Sequence, residues 1–211
     1  MDSLSRHEDY GSVPLNEMDM VADPIAQFAE WLKDAEEFLI YEPNAMVLGT
    51  IDDDGKPTAR TVLLKGLDHG FLFATNYLSR KGHAIDADAN VTAVFGWYKM
   101  HRQVIVEGAA AKVTADESTE YFATRPRGSQ VAAWASEQSR PIESRDALEQ
   151  QFEDAEQRFA GDGDVPRPPH WGGYRITPTR IEFWKGRSNR MHDRIVYLRT
   201  ADGWTVERLQ P

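Results

Sequence analysis

Three cationic or titratable side chains occur at every second position near the C-terminal end of the chain. They are Arg190, His192 and Arg194, in the stretch GRSNRMHDRIVYLR that begins at Gly186. If this stretch is extended, alternate side chains point the same way and lie about 6.5–7 Å apart. Such a row could bind an anion, although an isolated R-x-H-x-R is more often a solvated strand face. The row is a candidate site that needs support from the rest of the chain.

Three further segments place cations inside or beside apolar strand sequence: RTVLLK (60–65), SRK (79–81) and RPRGSQ (125–130). Burying Lys or Arg without a partner is costly, and Asp193 is the one acidic residue in the four segments together. A ligand could supply the missing negative charge. Phosphate is suitable, because Arg offers paired donors and a helix start adds backbone N–H groups.

Each segment also has a simpler explanation. Arg60 and Lys65 have opposite strand parity, so only a bulge or the end of the strand could bring both to one ligand. The SRK segment fits equally well a capped helix with solvated charges, and RPRGSQ could be only a turn containing proline. No single segment therefore identifies a ligand site, and the order of all four along the chain has to be considered.

Other aromatic and imidazole side chains carry weaker signals. Trp97, Trp134, Trp171 and Trp184 are more typical of a core than of a cofactor contact. The histidines at positions 83, 101 and 170 lack metal-ligand spacing, so we predict no metal site.

Composition excludes several classes of function. The 211 residues include 24 Lys and Arg and 34 Asp and Glu, for a formal net charge of −10, which disfavours binding to nucleic acid or to an anionic membrane. The chain has no cysteine, so disulfides and thiolate catalysis are excluded. No secretory leader and no apolar run of about 18 residues is present, so we expect a cytoplasmic protein.

The elements that must position these side chains are mainly strands. After a polar segment, 1–22, which we interpret as a flexible arm, an amphipathic helix is predicted over 24–39, with Asp23 as its cap and Pro24 in its first turn. Three consecutive antiparallel strands follow (AMVLGTI, PTARTVLLKGL, FLFATN), then a helix that Ser79 caps and two more strands, VTAVFGWY and RQVIVEGAAAKV.

Three helical segments follow before the chain returns to strands. They are DESTEYFATR, SQVAAWAS and SRDALEQQFEDAEQRFAG. After the loop DVPRPPH, four short strands are predicted: WGGYRIT, RIEFWKG, DRIVYLR and WTVERLQP. Because strands do not alternate regularly with helices, residues 23–211 should form one mainly β domain, an antiparallel barrel or bent sheet with peripheral helices.

Common nucleotide-binding and hydrolase motifs are absent. The sequence has no G-x-x-x-x-G-K-[ST], no G-x-G-x-x-G after a strand, no H-E-x-x-H and no G-x-S-x-G, which disfavours four widespread enzyme classes.

Several long motifs in one order resemble the pyridoxine (pyridoxamine) 5′-phosphate oxidase family, from about residue 24 to the end. They are RTVLLKGLDHGFLFATNYLSRKGHAI, RQVIVEG, EYFATRPRGSQVAAWASEQS, WGGYRITPTRIEFWKGRSNRMHDR and a terminal RLQP. The resemblance implies a split β-barrel homodimer with FMN at the subunit interface. The implied reaction oxidises pyridoxamine or pyridoxine 5′-phosphate to pyridoxal 5′-phosphate, with O2 as the electron acceptor, by hydride transfer from C4′ of the substrate to the flavin.

The resemblance also assigns residues to roles. Arg190 and His192 are the expected catalytic residues, facing the pyridine ring. The implied cofactor contacts are Arg60, Thr61, Val62, Leu63, Leu64, Lys65, Ala74, Thr75, Arg80, Lys81, Gln103, Gln138, Ser139, Trp184 and Arg194. The implied substrate contacts are Lys65, Tyr121, Arg125, Ser129, Arg190 and His192.

The chain departs from the family pattern at a few places. Ala74 stands where a bulkier aromatic residue is expected, and Met191 stands where leucine is common, a volume-conserving change. The arm matches poorly, so Arg6 and Tyr10, which could correspond to a closing arm, are not assigned to the site.

Two alternatives remain open from the sequence. The chain could be a deazaflavin-dependent reductase of the same fold, although such an enzyme would not need the pair Arg190 and His192. It could also be a binder of FMN or pyridoxal phosphate without catalytic activity.

Overall fold

The computed structural model describes residues 3–5, 8–161 and 163–211. Nine strands form one antiparallel sheet. They are β1 (Ala45–Ile51), β2 (Pro57–Leu63), β3 (Gly66–Leu67), β4 (Phe71–Asn76), β5 (Asn90–Trp97), β6 (Arg102–Lys112), β7 (Trp171–Lys185), β8 (Asp193–Thr200) and β9 (Gly203–Leu209). The helices are α1 (Pro24–Glu37), α2 (Arg80–Ala87), α3 (Ala115–Ala123), α4 (Arg127–Ala135) and α5 (Arg145–Arg158). The predicted mainly β class with peripheral helices is confirmed.

The sheet runs in the order β2-β1-β5-β6-β7-β4-β3, and β8 and β9 continue from β7. It curls so strongly that its two ends approach each other. The backbone N–H of Lys65, just after β2, donates to the carbonyl oxygen of Leu72 in β4 at 2.7 Å. This closure produces the split barrel.

Two details of the strand predictions change. The segment PTARTVLLKGL was expected to be one strand, but it divides into β2 and β3 because the chain bends around Lys65, and β4 pairs with β3 and β7. The segments WGGYRIT and RIEFWKG were expected to be separate strands, but β7 is continuous. Its register against β6 slips at Thr179, beside Pro178, which has no N–H to donate and is tolerated at such a bulge.

Helix α1 contributes several buried side chains to the main core. Asp23 caps it by accepting from the N–H of Ile25, as the sequence predicts. Phe28 is fully buried, with ring centroids 4.6 Å from Phe95 and 4.9 Å from Phe71. Burying one such ring stabilises the fold by roughly 1.5–3 kcal/mol.

A second, smaller core lies where α3, α4 and α5 pack on the barrel. Its buried members include Phe122, Val131, Ala155 and Trp171. Trp171 is the first residue of β7, so it joins the helical layer to the sheet. Thr114 caps α3 and Ser144 caps α5, which starts both helices at defined positions on the barrel.

Residues 8–22 of the N-terminal segment lie against the C-terminal part of the chain. Leu15 is buried, and its N–H donates to the Asp193 carboxylate at 2.9 Å. Arg208 in β9 binds both the Glu17 carboxylate and the Leu15 carbonyl oxygen. Arg6 lies outside the described residues. The flexibility predicted for residues 1–22 stays a prediction.

Within the part of the chain that the structure describes, no helix combines the length and the apolar character needed to cross a bilayer.

Candidate functional site

A cavity of about 790 Å³ opens between the barrel and the helical layer. It is lined by parts of β2, β4 and α2 from the barrel side and by α3, α4 and the start of β7 from the other. Four of its lining residues are cations: Arg60, Lys65, Lys81 and Arg125. Among the described residues, no Asp or Glu lines it. In a chain of net charge −10, this concentration of positive charge indicates an anion-binding site.

Lys81 is the most deeply placed of these cations. Ser79 caps α2 by accepting from the N–H of Gly82, which fixes the turn that carries Lys81. Its Nζ, in a side chain only 8% exposed, donates to Gln138 Oε1 at 2.6 Å and to Thr75 Oγ1 at 3.0 Å. Burial, together with the nearby charge of Arg60, lowers the pKa of Lys81 to about 8. In the described part of the chain, this ammonium group bonds to neutral oxygens and no carboxylate accepts from it.

Arg60 is held by neutral oxygens. Its guanidinium donates to Thr50 Oγ1 at 2.8 Å, to the Leu48 carbonyl oxygen at 3.1 Å and to Thr58 Oγ1. Burial and the charge of Arg80 lower its pKa. Arg80 itself is exposed and forms an ion pair with Asp52 at 3.1 Å, so the protein supplies a counter-charge for it.

Arg60 and Lys65 reach the same cavity, despite their opposite strand parity, because the strand ends between them. Strand β2 ends at Leu63, and the bend that follows brings Lys65 to the same cavity as Arg60. Leu64, between them, points its side chain into the main core, and its backbone groups bond to Asn44. It is therefore absent from the cavity lining.

Arg125 lies at the opposite wall, near Tyr121 and Ser129. Its Nη1 is buried without a hydrogen-bond partner among the described residues. Burial lowers its pKa, and burial also raises the pKa of Tyr121, against the effect of the Arg125 charge. An unpaired buried guanidinium nitrogen is costly, and this wall of the cavity can therefore accept an anionic partner.

A second group of predicted residues lies elsewhere on the same chain. Gln103 in β6 faces Trp184 in β7, which faces Arg194 in β8, so the three form one row across the sheet. Gln103 and Trp184 line a smaller cavity of about 320 Å³ together with Tyr10 and His101. The two cavities share no lining residue.

Arg194 has a protein counter-charge that the sequence analysis missed. The buried Glu182 carboxylate accepts from Arg194 Nε at 2.7 Å and Nη2 at 3.0 Å, and from Arg180 Nη2 at 2.6 Å. Burial alone would raise the pKa of Glu182, but the hydrogen bonds from Arg194 and Arg180 outweigh it and hold the pKa below its usual value. Glu182 thus fixes the orientation of Arg194.

The row of Arg190, His192 and Arg194 is not a strand face. Strand β8 begins at Asp193, and Arg190 lies in a short 3-10 turn, Ser188–Arg190. Asn189 and Arg190 have φ values of 58° and 60°, in the left-handed region that non-glycine residues rarely adopt. The expectation of a continuous extended row is therefore wrong, because the chain turns before Met191, and Arg190 is exposed.

His192 is oriented by its neighbours. Its Nδ1 accepts from the backbone N–H of Arg187 at 3.0 Å, and its ring lies 4.8 Å from Trp184 and 5.7 Å from Tyr10. A nitrogen that accepts a hydrogen bond carries no proton, so the neutral ring has its proton on Nε2. His192 can therefore donate through Nε2.

The structure divides the predicted site residues between these regions. The large cavity collects Arg60, Thr61, Val62, Leu63, Lys65, Ala74, Thr75, Lys81, Tyr121, Arg125, Ser129 and Gln138. Those outside its lining are Leu64, Arg80, Gln103, Ser139, Trp184, Arg190, His192 and Arg194.

Several residues of the site were missed from the sequence. Asn76, Ser136 and Trp171 line the large cavity, and Glu182 holds Arg194. One signal for Glu182 was present: it is an acidic residue between Ile181 and Phe183 in a strand, and charges in such a setting usually have a partner.

Comparisons with known proteins agree with this architecture. The solved structure of PhzG from Burkholderia lata, in complex with tetrahydrophenazine-1-carboxylic acid, matches with a TM-score of 0.89 at 28% identity, over 96% of this chain and 100% of that one. A pyridoxamine 5′-phosphate oxidase-related, FMN-binding protein from Nostoc punctiforme matches with a TM-score of 0.71 at 16% identity, over 91% of this chain and all of that one. The fold is that of the split-barrel class.

Family and sequence comparisons identify the group more closely. Residues 32–159 match the model of the pyridoxamine 5′-phosphate oxidase family, and residues 171–211 match the pyridoxine 5′-phosphate oxidase C-terminal dimerisation region. Pyridoxine/pyridoxamine 5′-phosphate oxidases of Rubrobacter xylanophilus and of a Cyanothece species are 56% and 50% identical, over 90% and 97% of this chain and 87% and 96% of theirs. The chain belongs to the pyridoxine/pyridoxamine 5′-phosphate oxidase family.

Glu182 provides a test of the second group of residues. We expect Glu182→Ala to lower the free energy of unfolding by about 3–5 kcal/mol, because Arg194 and Arg180 lose a buried counter-charge. Urea unfolding followed by circular dichroism measures this loss. Glu149→Ala, which removes an exposed helical ion pair with Arg145, should cost less than about 0.5 kcal/mol. Equal losses in the two variants would contradict the role given to Glu182.

Proposed function

We propose that this protein is an FMN-dependent oxidase that converts pyridoxamine 5′-phosphate, pyridoxine 5′-phosphate or both into pyridoxal 5′-phosphate, with O2 as the electron acceptor. The observation that carries the proposal is the large cavity with four cations and, among the described residues, no carboxylate in its lining. Both FMN and the proposed substrate carry a phosphate group. The identities of 50–56% to named oxidases over most of the chain support the same activity.

The residues present fit FMN. Lys81 and Arg60 combine burial with neutral oxygen partners, so a phosphate near them would supply the missing charge. Thr75 and Gln138, which bond to Lys81, would orient its ammonium group, and residues 61–63 line the same cavity. Arg80, already paired with Asp52, would add positive charge at the rim.

The substrate phosphate would bind at the opposite wall. Arg125, whose Nη1 lacks a partner among the described residues, would supply the main charge, with Tyr121, Ser129 and Lys65 as further donors. The distribution of unpaired cations on two walls suits two phosphorylated molecules that occupy one cavity.

When bound, FMN supplies the hydride acceptor and passes the electrons to dioxygen. The task of the protein is to hold the substrate in a productive orientation, which is worth several kcal/mol of barrier. Arg190 and His192 would contact the pyridine ring. Because His192 Nδ1 already accepts a hydrogen bond from Arg187, its Nε2–H would donate to the substrate rather than remove a proton from it.

A homodimer would bring the two groups of residues together. Gln103, Trp184 and Arg194 share no cavity with Arg60 and Lys81 within one chain, yet the resemblance assigns all of them to one cofactor. The matched dimerisation region, 171–211, includes Trp184 and Arg194. We therefore place FMN at the interface, with this row from one subunit completing the cavity of the other.

A second candidate is oxidation of a fused-ring carboxylic acid, since the PhzG structure contains such a ligand. The unpaired Arg125 could bind a carboxylate. The higher identity to the pyridoxine/pyridoxamine 5′-phosphate oxidases favours the phosphorylated substrate.

An anaerobic titration tests the proposal. The FMN-loaded protein should lose its yellow colour on addition of pyridoxamine 5′-phosphate and regain it when air is admitted. Failure to bleach would leave a flavin binder without this activity, and bleaching by tetrahydrophenazine-1-carboxylic acid alone would favour the second candidate. Purification with a deazaflavin instead of FMN would support the reductase alternative.

Two arginine variants should separate substrate turnover from flavin binding. We expect Arg190→Ala to retain FMN but to slow anaerobic flavin reduction by at least about 100-fold, because its contact orients the substrate. Stopped-flow absorbance measures the rate. An unchanged rate would refute the role of Arg190.

The matched variant at the other site is Arg60→Ala. It should raise the FMN dissociation constant by about 10-fold or more, through loss of a charge-assisted phosphate contact. The rate of flavin reduction at saturating FMN should change less than it does in Arg190→Ala. Unchanged FMN affinity would remove Arg60 from the phosphate site.

The lowered pKa of Lys81 predicts a pH dependence. The pKa of Lys81 is about 8 in the protein without ligand, so Lys81 is mostly neutral at pH 9. Binding of a phosphate that pairs with the charged form then requires Lys81 to take up a proton, which weakens binding. FMN affinity should therefore fall about tenfold between pH 7 and pH 9. Fluorescence titration with FMN measures this fall.

Lys81→Arg is the control for this titration. Arginine keeps its charge throughout the range, so the decline should vanish in this variant. A flat profile for the unmodified protein, or the same slope in Lys81→Arg, would contradict the assignment.

A further inference from the structure

The indole ring of Trp171 packs against two predicted substrate contacts, Arg125 and Tyr121. Arg125 stacks over it, with Cζ 4.4 Å from the ring centroid, and the Tyr121 ring lies nearly parallel at 6.0 Å. Phe122 meets the same indole edge-on at 5.1 Å. All three partners belong to the last turn of α3 and the residues just after it, whereas Trp171 begins β7.

Among the described residues, no acidic side chain holds Arg125. Its guanidinium is positioned by two ring faces, those of Trp171 and Phe122, and its Nη1 is buried without a hydrogen-bond partner in the described part of the chain. A ring face attracts a cation without neutralising its charge or using its N–H donors. The guanidinium therefore remains available to an anion in the cavity.

Trp171 is itself rigidly placed. It is 7% exposed, and its carbonyl oxygen accepts from Arg167 Nη1 at 2.6 Å. The backbone N–H of Trp171 donates to the Pro168 carbonyl oxygen, and Trp171 faces Asn76 on the neighbouring strand β4. Asn76 also lines the cavity, so the position of Trp171 is fixed relative to the barrel wall that carries Lys81.

We propose that Trp171 is a positioning residue that sets the selectivity of the cavity for a phosphorylated substrate, by aiming Arg125 and Tyr121 at the phosphate. This inference rests on the proposed function for the identity of the substrate. The binding of a phosphate group at Arg125 does not depend on turnover and is tested without it.

The experiment measures equilibrium binding of pyridoxal 5′-phosphate and of inorganic phosphate to the FMN-loaded protein by calorimetry, with KM and kcat for pyridoxamine 5′-phosphate alongside. Trp171→Leu should weaken binding of both ligands and raise KM by about tenfold, as loss of a desolvated cation–π contact implies. The values of kcat and of the FMN dissociation constant should stay within about twofold. Trp171→Phe, which retains a ring face, should recover most of the affinity.

Trp134 offers a matched control in the same helical layer. Arg158 stacks over its ring at 4.5 Å, and its Nε1 donates to the Pro166 carbonyl oxygen, but it does not line the cavity. Trp134→Leu should lower the melting temperature and leave phosphate affinity unchanged. A rise in KM of equal size in Trp134→Leu would mean that Trp171 acts only through stability, and would overturn the proposal.

A second background shows whether Trp171 acts through Arg125. When Arg125 has already been replaced by Met, the addition of Trp171→Leu or Trp171→Phe should weaken phosphate binding no further. An undiminished additional loss in that background would contradict the proposal. The Phe variant serves if the Leu variant does not fold. If the unmodified protein binds pyridoxal 5′-phosphate but does not oxidise pyridoxamine 5′-phosphate, the proposed function fails while the binding test of Trp171 still stands.

Discussion

The site depends on positive charge that, among the described residues, no carboxylate of the cavity lining neutralises. Lys81 is buried and Arg60 is half-buried, the hydrogen bonds of both among the described residues go to neutral oxygens, and Arg125 is held by aromatic faces. The pKa values of all three are lowered by burial, which measures the cost of keeping them charged. As the pH rises above about 8, the free energy of unfolding should increase. The reason is that a lysine in the unfolded chain keeps its proton to a higher pH than Lys81 does in the folded chain. An anionic ligand offsets this cost.

The fold maintains these charges by placing them on different elements. Strand β2 carries Arg60, the capped start of α2 carries Lys81, and the turn after α3 carries Arg125. Mutual repulsion would separate such groups on flexible segments. Strand β7 ties the helical layer to the barrel, because Trp171 at its start packs into the helical core.

Much of the secondary structure could be predicted from the sequence, because helix caps and strand alternation are local signals. The caps Asp23, Ser79 and Ser144 fixed the starts of three helices, and strand alternation gave the mainly β class. Other features depend on contacts between distant residues. Glu182 pairs with Arg194 across two strands, and the left-handed turn at Asn189 and Arg190 interrupts a pattern that alternation alone would read as a strand. The meeting of Arg60 and Lys65 required the bend that follows β2.

The central claim is that phosphate groups supply the charge missing from the cavity, and a comparison of FMN with riboflavin tests it most directly. The two flavins differ by one phosphate group. In calorimetric titrations of the flavin-free protein at pH 7, FMN should bind at least about 100-fold more tightly than riboflavin. This difference in affinity should become smaller as salt is added. Equal affinities for the two flavins would contradict the account.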